Sequence, residues 1–237
     1  HPLIDNSGAF MTLCPGDEDW YRVGLQENQL LRAALSPFDL PGLTFEGVDS
    51  EGAVLAPPIV DVDALAFHGE GPGNVYLHVY DSEGVIPSLG YTYDLLIDVA
   101  SSDRVTACEG ATALALEGGE AQVSGEILAG ASLFDPSCVA LEGAGPESIH
   151  LVDVTERSLL TATAEGEGFN TILTLYRECP FDGTEEACND DAAPATPHIS
   201  HIEAVVDPGT YALVVDGWTE DDHGPFTLTV AVAPFVP

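Results

Sequence analysis

The chain has 237 residues, with 40 acidic against 5 basic side chains, a formal charge of −35 and a 45% hydrophobic fraction. The five bases are arginines (Arg22, Arg32, Arg104, Arg157, Arg177), too few to neutralise a nucleic-acid backbone or to form a polybasic membrane patch. No apolar run approaches the roughly 20 residues of a bilayer-spanning helix, and 24 glycines with 17 prolines favour a turn-rich β protein.

In chain order, an acidic turn at Gly16-Asp17-Glu18-Asp19 precedes an alternating segment in which Tyr21, Val23 and Leu25 share one face. Period-two alternation predicts a strand with one buried side. A second strand is expected over Gly42–Asp49. In the next, Val75, Leu77 and Val79 face the core and place Tyr76, His78 and Tyr80 as an aromatic row on the opposite side. That row is a candidate contact surface, since aromatic anchors are enriched at interfaces. Tyr93, Leu95, Ile97 and Val99 form a terminal strand, and Ala100-Ser-Ser-Asp-Arg104 reads as a boundary. The second half repeats the plan. Tyr211, Leu213 and Val215 alternate inward, and Phe226, Leu228, Val230 and Val232 close it.

The halves match in detail. At a shift of 129 positions, Gly16, Val23, Glu27, Leu30, Leu31 and Ala33 meet Gly145, Val152, Glu156, Leu159, Leu160 and Ala162. At a shift of 136, Pro72-Gly73 and Leu77 meet Pro208-Gly209 and Leu213. Many short strands broken by Gly/Pro turns imply β-sandwiches. The expected fold class is all-β, with two tandem, jelly-roll-like β-sandwich domains over residues 1–100 and 101–237.

The five cysteines (Cys14, Cys108, Cys138, Cys179, Cys188) include no C-x-x-C pair. Cys179 and Cys188 flank a short polar loop and are expected to close it, leaving Cys108 to pair with Cys138. Disulfides imply an oxidising compartment, hence an extracellular or cell-surface location. Cys14 is the odd cysteine, unpaired in this chain. The chain begins at His1 rather than Met, which suggests an upstream segment able to supply its partner.

The unit resembles the bacterial pre-peptidase C-terminal domain, a secreted sandwich. The residues that carry the resemblance are Gly16-Asp-Glu-Asp-Trp-Tyr-Arg-Val23, Phe169-Asn-Thr-Ile-Leu-Thr-Leu-Tyr176, Cys188-Asn-Asp-Asp191 and Pro208-Gly-Thr-Tyr-Ala-Leu-Val-Val-Asp-Gly217. The second half is similar to the cysteine-bearing version found in large surface proteins of predatory and marine bacteria. The first half departs from it at Gly42–Asp49, without a Cys…Cys-Asn-Asp-Asp loop. The resemblance implies an accessory module: members accompany secreted peptidases or repeat along adhesins, and related collagenase domains bind calcium and collagen.

Hard carboxylate and amide oxygens on loops suit calcium, which takes about 6–8 of them. The candidate set is Asn189, Asp190, Asp191, Asp216, Asp221 and Asp222, with Glu220 alongside. Asp17, Glu18, Asp19, Asp61 and Asp63 are poorer versions, and no EF-hand pattern occurs. His198 and His201, three apart on a strand, face opposite sides and make a poor transition-metal pair. His150 aligns with Tyr21 and reads as a half-buried strand residue. An N-terminal His1 has copper-chelating chemistry, but nothing else resembles a copper enzyme. Gly-x-Ser-x-Gly and His-Glu-x-x-His are absent from the sequence. The expected function is a non-catalytic adhesion or spacer module, not an enzyme, with calcium as its one expected cofactor. Its expected partners are a protein or polysaccharide surface or copies of itself, without nucleic acid. The rival expectations are a filament or surface-layer subunit and the accessory or targeting domain of a secreted peptidase.

Overall fold

A computed structural model describes residues 10–37, 40–55, 58–61, 64–139, 147–193 and 198–236. His1 and Asp63 lie outside the described residues. The chain divides into two compact units, residues 1–105 and 106–237.

In the first unit, β1 (Phe10–Leu13), β3 (Leu30–Ser36), β5 (Ile59–Asp61), β6 (Ala64–Glu70) and β8 (Tyr91–Ala100) form a five-stranded sheet. Its order is β1-β8-β3-β6-β5. β2 (Glu18–Leu25), β4 (Leu43–Val48) and β7 (Gly73–Asp81) form a three-stranded sheet in the order β2-β7-β4. Leu31, Leu35 and Leu95 from the larger sheet and Tyr21, Phe45 and Leu77 from the smaller one share a single core. This is a β-sandwich.

The second unit carries β10 (Glu120–Ile127), β12 (Ser158–Gly166), β15 (Ile199–Val206) and β17 (Gly224–Pro234) in the order β10-β17-β12-β15. Its other sheet holds β9 (Thr112–Ala113), β11 (Ser148–Val154), β13 (Thr171–Tyr176), β14 (Glu185–Asn189) and β16 (Gly209–Gly217), in the order β14-β13-β16-β11-β9. Leu160, Leu228 and Val230 meet Leu173, Leu213 and Val215 in its core.

The ladders of the two units correspond residue by residue. Tyr21 pairs with Leu77 as His150 pairs with Leu213. Leu35 pairs with Leu95 as Ala164 pairs with Leu228. A slip of one residue would turn each apolar set to the wrong face, and in both units these inward sets are buried.

At the expected boundary α1 (Ser102–Glu109) begins, with the Ser101 hydroxyl accepting the Arg104 N–H at 3.3 Å as a cap and Asp103 in the first turn. The disulfides depart from the sequence-based reading. Cys108 joins Cys179 (Cα–Cα 5.9 Å) and Cys138 joins Cys188 (5.6 Å), with Cys14 free and exposed. The Cys179–Cys188 loop needs no bridge, because a 3-10 turn (Asp182–Thr184) and the pairing of β13 with β14 already close it. Its two thiols instead reach out to segments that cover the sheet. Such bridges persist in oxidising compartments, so the chain is extracellular or periplasmic. Among the described residues no helix is long and apolar enough to cross a membrane.

Candidate functional site

The outward side of β2-β7-β4 is a grid of three registered rows. Glu18, Tyr80 and Thr44 form one row; Trp20, His78 and Glu46 the next; Arg22, Tyr76 and Val48 the third. The alternation that buries Tyr21, Val75 and Leu77 puts these side chains on the other face. Tyr76, His78 and Tyr80 thus occupy one face, as their spacing requires, but they are not equally accessible. His78 is buried, Tyr76 and Tyr80 are half-buried, and the exposed ring is Trp20.

Trp20 stacks on His78 with ring centroids 3.8 Å apart at 11°, and His78 stacks on Tyr80 at 4.2 Å and 16°. Both imidazole nitrogens meet carboxylates, Nε2 at 3.3 Å from Glu18 Oε2 and Nδ1 at 3.2 Å from Glu46 Oε1. The indole N–H donates to Glu18 Oε2 at 3.4 Å. Burial raises the Tyr80 phenol above its ordinary range, and the charges of Glu46 and Glu18 add to the shift. In the sequence Trp20 stands out only as a member of the Gly16–Val23 motif. Its role at this face becomes visible only with the cross-strand register, which sets it opposite His78.

Directly beneath lies a buried polar chain. The Tyr21 and Tyr93 hydroxyls are 2.6 Å apart, and Tyr93 donates to Asp19 Oδ2 at 2.6 Å. Burial first, then the bond to Asp19, pushes the Tyr93 phenol well above its usual range. Asp19 is half-buried on β2, with one carboxylate oxygen bonded to Tyr93.

The corresponding face of the second unit is closed. Ile149, Tyr176, Ala212 and Val214 project outward and are buried beneath Phe134, with Leu133, Ala107 and Cys108 packed against them. Phe134 and Tyr176 lie 5.2 Å apart. The two disulfides staple this cover down: Cys108 of α1 to Cys179 after β13, and Cys138 of the 128–139 segment to Cys188 on β14.

The acidic residues of the second unit separate into different environments. Asn170 links two of them, its side-chain amide donating to Asp190 Oδ1 at 3.1 Å and its backbone N–H to Asp222 Oδ1 at 3.1 Å. Thr219 Oγ1 donates to the other Asp222 oxygen at 2.8 Å. Gly217 permits this loop to close, since a Cβ there would lie 1.8 Å from the Asp222 carbonyl oxygen. Burial raises the Asp190 carboxyl above its ordinary range, Asp191 and Asp222 add to the shift, and the Asn170 bond opposes it. The Asn189 side chain accepts the His201 N–H at 2.9 Å, and Asp221 is exposed. Asp216 is buried and faces Ser132 Oγ at 3.1 Å. Asp190 and Asp222 are thus brought together, with Asp191 near and its carbonyl accepting from the Asn189 side chain at 3.4 Å, while Asp216 is buried at Ser132. Among the described residues, no three His, Cys, Asp or Glu side chains converge as a metal centre. His198 Nδ1 meets the Phe169 carbonyl and His201 Nδ1 the Thr163 hydroxyl, each at 2.8 Å, so the two histidines serve separate bonds.

Neither a protein-family model nor a curated protein matches the sequence. Solved structures do match. One is a periplasmic inhibitor of g-type lysozyme from Aeromonas hydrophila, 14% identical over 52% of this chain and 96% of its own, TM-score 0.36. Another is the pre-peptidase C-terminal domain of a Bacillus anthracis collagenase, 14% identical over 51% of this chain and 93% of its own, TM-score 0.36. The CUB1-EGF-CUB2 region of human MASP-1/3 matches at 10% identity over 96% of this chain and all of its own, TM-score 0.28. At these identities the likeness concerns the fold alone.

Proposed function

We propose that the chain is a non-catalytic adhesion or spacer module of a secreted or cell-surface protein, built from tandem copies of a unit like the pre-peptidase C-terminal domain. It engages a partner through the outward face of β2-β7-β4. The observation that carries this reading is the contrast between equivalent faces: one shut by a disulfide-stapled cover, the other left with a stacked aromatic row and an exposed Trp20. Large aromatic anchors beside polar groups are the usual make-up of a binding hot spot. The test is binding of the intact chain to the producing cells and their secreted material. Trp20→Ala is expected to reduce binding at least tenfold with melting unchanged. Binding that survives Trp20→Ala and Tyr80→Ala together would remove this face from the function.

Calcium is a second proposal, favoured by the meeting of Asp190 and Asp222 at Asn170. Millimolar calcium is then expected to raise the melting temperature of the second unit and a chelator to lower it. Equal melting under both conditions, at low and at high salt, would sink it.

A further inference from the structure

Trp20 ends the ring stack. One face of its indole lies against the His78 imidazole, and the residue is 46% exposed to solvent. Beside it stands Glu18, whose side chain is 59% exposed. Both Glu18 contacts, from the indole N–H and from His78, use Oε2, and Oε1 meets no polar partner among the described residues. Arg22 sits two residues beyond Trp20 on β2, opposite Tyr76, exposed and without an ion pair among the described residues. The face therefore has an acidic end at Glu18 and a basic end at Arg22. Val48 is buried at the far edge of the third row and bridges to Val54, which is 60% exposed.

Resting on the reading of this face as the binding surface, we infer that its ligand is an arginine side chain presented by a basic partner protein. The guanidinium stacks on the free face of Trp20 and donates to Glu18 Oε1. Tryptophan gives the strongest cation–π attraction of the aromatic side chains. A planar guanidinium can stack on a ring and hydrogen-bond in its own plane at once, which an ammonium cannot. At −35 overall, the chain draws basic partners toward it and repels acidic ones. A neutral sugar can also stack on an indole and donate a hydroxyl to the free carboxylate oxygen, but it draws nothing from the charge of the chain.

The test is calorimetric titration of the intact chain with a short glycine–arginine peptide. Lysine and citrulline versions of that peptide and an N-acetylated chito-oligosaccharide serve as rival probes. Salt is held at about 0.15 M, where the screening length is about 8 Å and diffuse attraction is suppressed. The arginine peptide is expected to bind about tenfold more tightly than the citrulline peptide, and more tightly than the lysine peptide. Trp20→Ala, which changes no charge, is expected to weaken it about tenfold, Glu18→Gln severalfold, and Trp218→Ala, at the other tryptophan, just after β16 in the second unit, not at all. Equal binding by native and Trp20→Ala chains would reduce the effect to diffuse charge and overturn the inference, as would preference for the oligosaccharide. If Trp20→Ala abolishes attachment to secreted material while the arginine peptide is ignored, the face stands and the cationic ligand falls. If Trp20→Ala alters neither, both fall.

Discussion

The two units place equivalent strands in equivalent register yet treat the outer face of β2-β7-β4 and that of its counterpart β11-β16-β13 in opposite ways. Outward positions on β16 are Ala212 and Val214; at the matching positions β7 has Tyr76 and His78. Small apolar residues pack under a cover, and the second unit supplies one from α1 and residues 128–139. Among the described residues, the first unit has at the corresponding place only the short turn Cys14–Asp17 between β1 and β2. Its outward residues are consequently amphipathic rings and charges that tolerate water. Presence of a cover, rather than strand order, decides which residues occupy this layer.

The interiors show the same substitution logic. Where the first unit joins buried Tyr21 and Tyr93 to half-buried Asp19 as a hydrogen-bonded chain, the second has His150, Phe226 and Ser148, with Ser148 Oγ 3.0 Å from His150 Nε2 and the Phe226 ring edge-on to His150 at 6.0 Å. The polar pairs differ chemically but occupy the same rungs.

The largest expected effect concerns the staples. Each closes a long segment, 71 and 50 residues of separation, so chain-entropy reasoning gives about 4 kcal/mol apiece. The Cys108→Ser/Cys138→Ser double variant should lower the melting of the second unit sharply and leave the first unchanged. Non-reducing peptide mapping should recover Cys108–Cys179 and Cys138–Cys188 linkages; a Cys179–Cys188 peptide would break the covering scheme.

Next come the matched core rungs. Leu77→Ala and Leu213→Ala each remove a fully buried side chain and should cost about 2–5 kcal/mol in their own unit, measured by denaturant unfolding. Tyr93→Phe should cost about 1–3 kcal/mol, because it leaves the Tyr21 hydroxyl buried without its partner. Loss below that range would mean water replaces the bond.

The smallest effects are pH dependences. Burial depresses the His150 imidazole below its ordinary value near 6.5. The unfolded chain therefore takes up more protons, and stability is lost as pH falls below about 6.5. His150→Phe should flatten that part of the second unit's stability profile. Asp190 has the opposite sign. Its raised carboxyl means the folded chain holds the proton longer, so stability declines as pH rises through and above the ordinary range near 3.8. Asp190→Asn should remove that decline and modestly stabilise the second unit at neutral pH in the absence of calcium.

Much of the fold was legible because alternation is local. Tyr21/Val23/Leu25 and Tyr211/Leu213/Val215 carry their burial in their spacing, and the paired shifts of the two halves anticipate the ladder partners. The disulfide pairing was not legible, since sequence proximity favoured Cys179–Cys188 while the bridges actually join the sheet to a covering layer that only the three-dimensional packing reveals. The candidate face was half legible. Tyr76, His78 and Tyr80 are set on one side by period two, but Trp20, Glu18 and Glu46 reach His78 through neighbouring strands. Asp216, in the candidate calcium set, is a buried partner of Ser132 because its strand runs beneath the cover.

Hydroxyl-radical footprinting of the intact chain tests the contrast between the two faces most directly. With both disulfides intact, Trp20 should oxidise readily while Phe134 and Tyr176 stay protected, and reduction should expose Phe134 and Tyr176 without changing Trp20. Protection of Trp20 in the unliganded chain, or labelling of Phe134 and Tyr176 while the bridges hold, would contradict it.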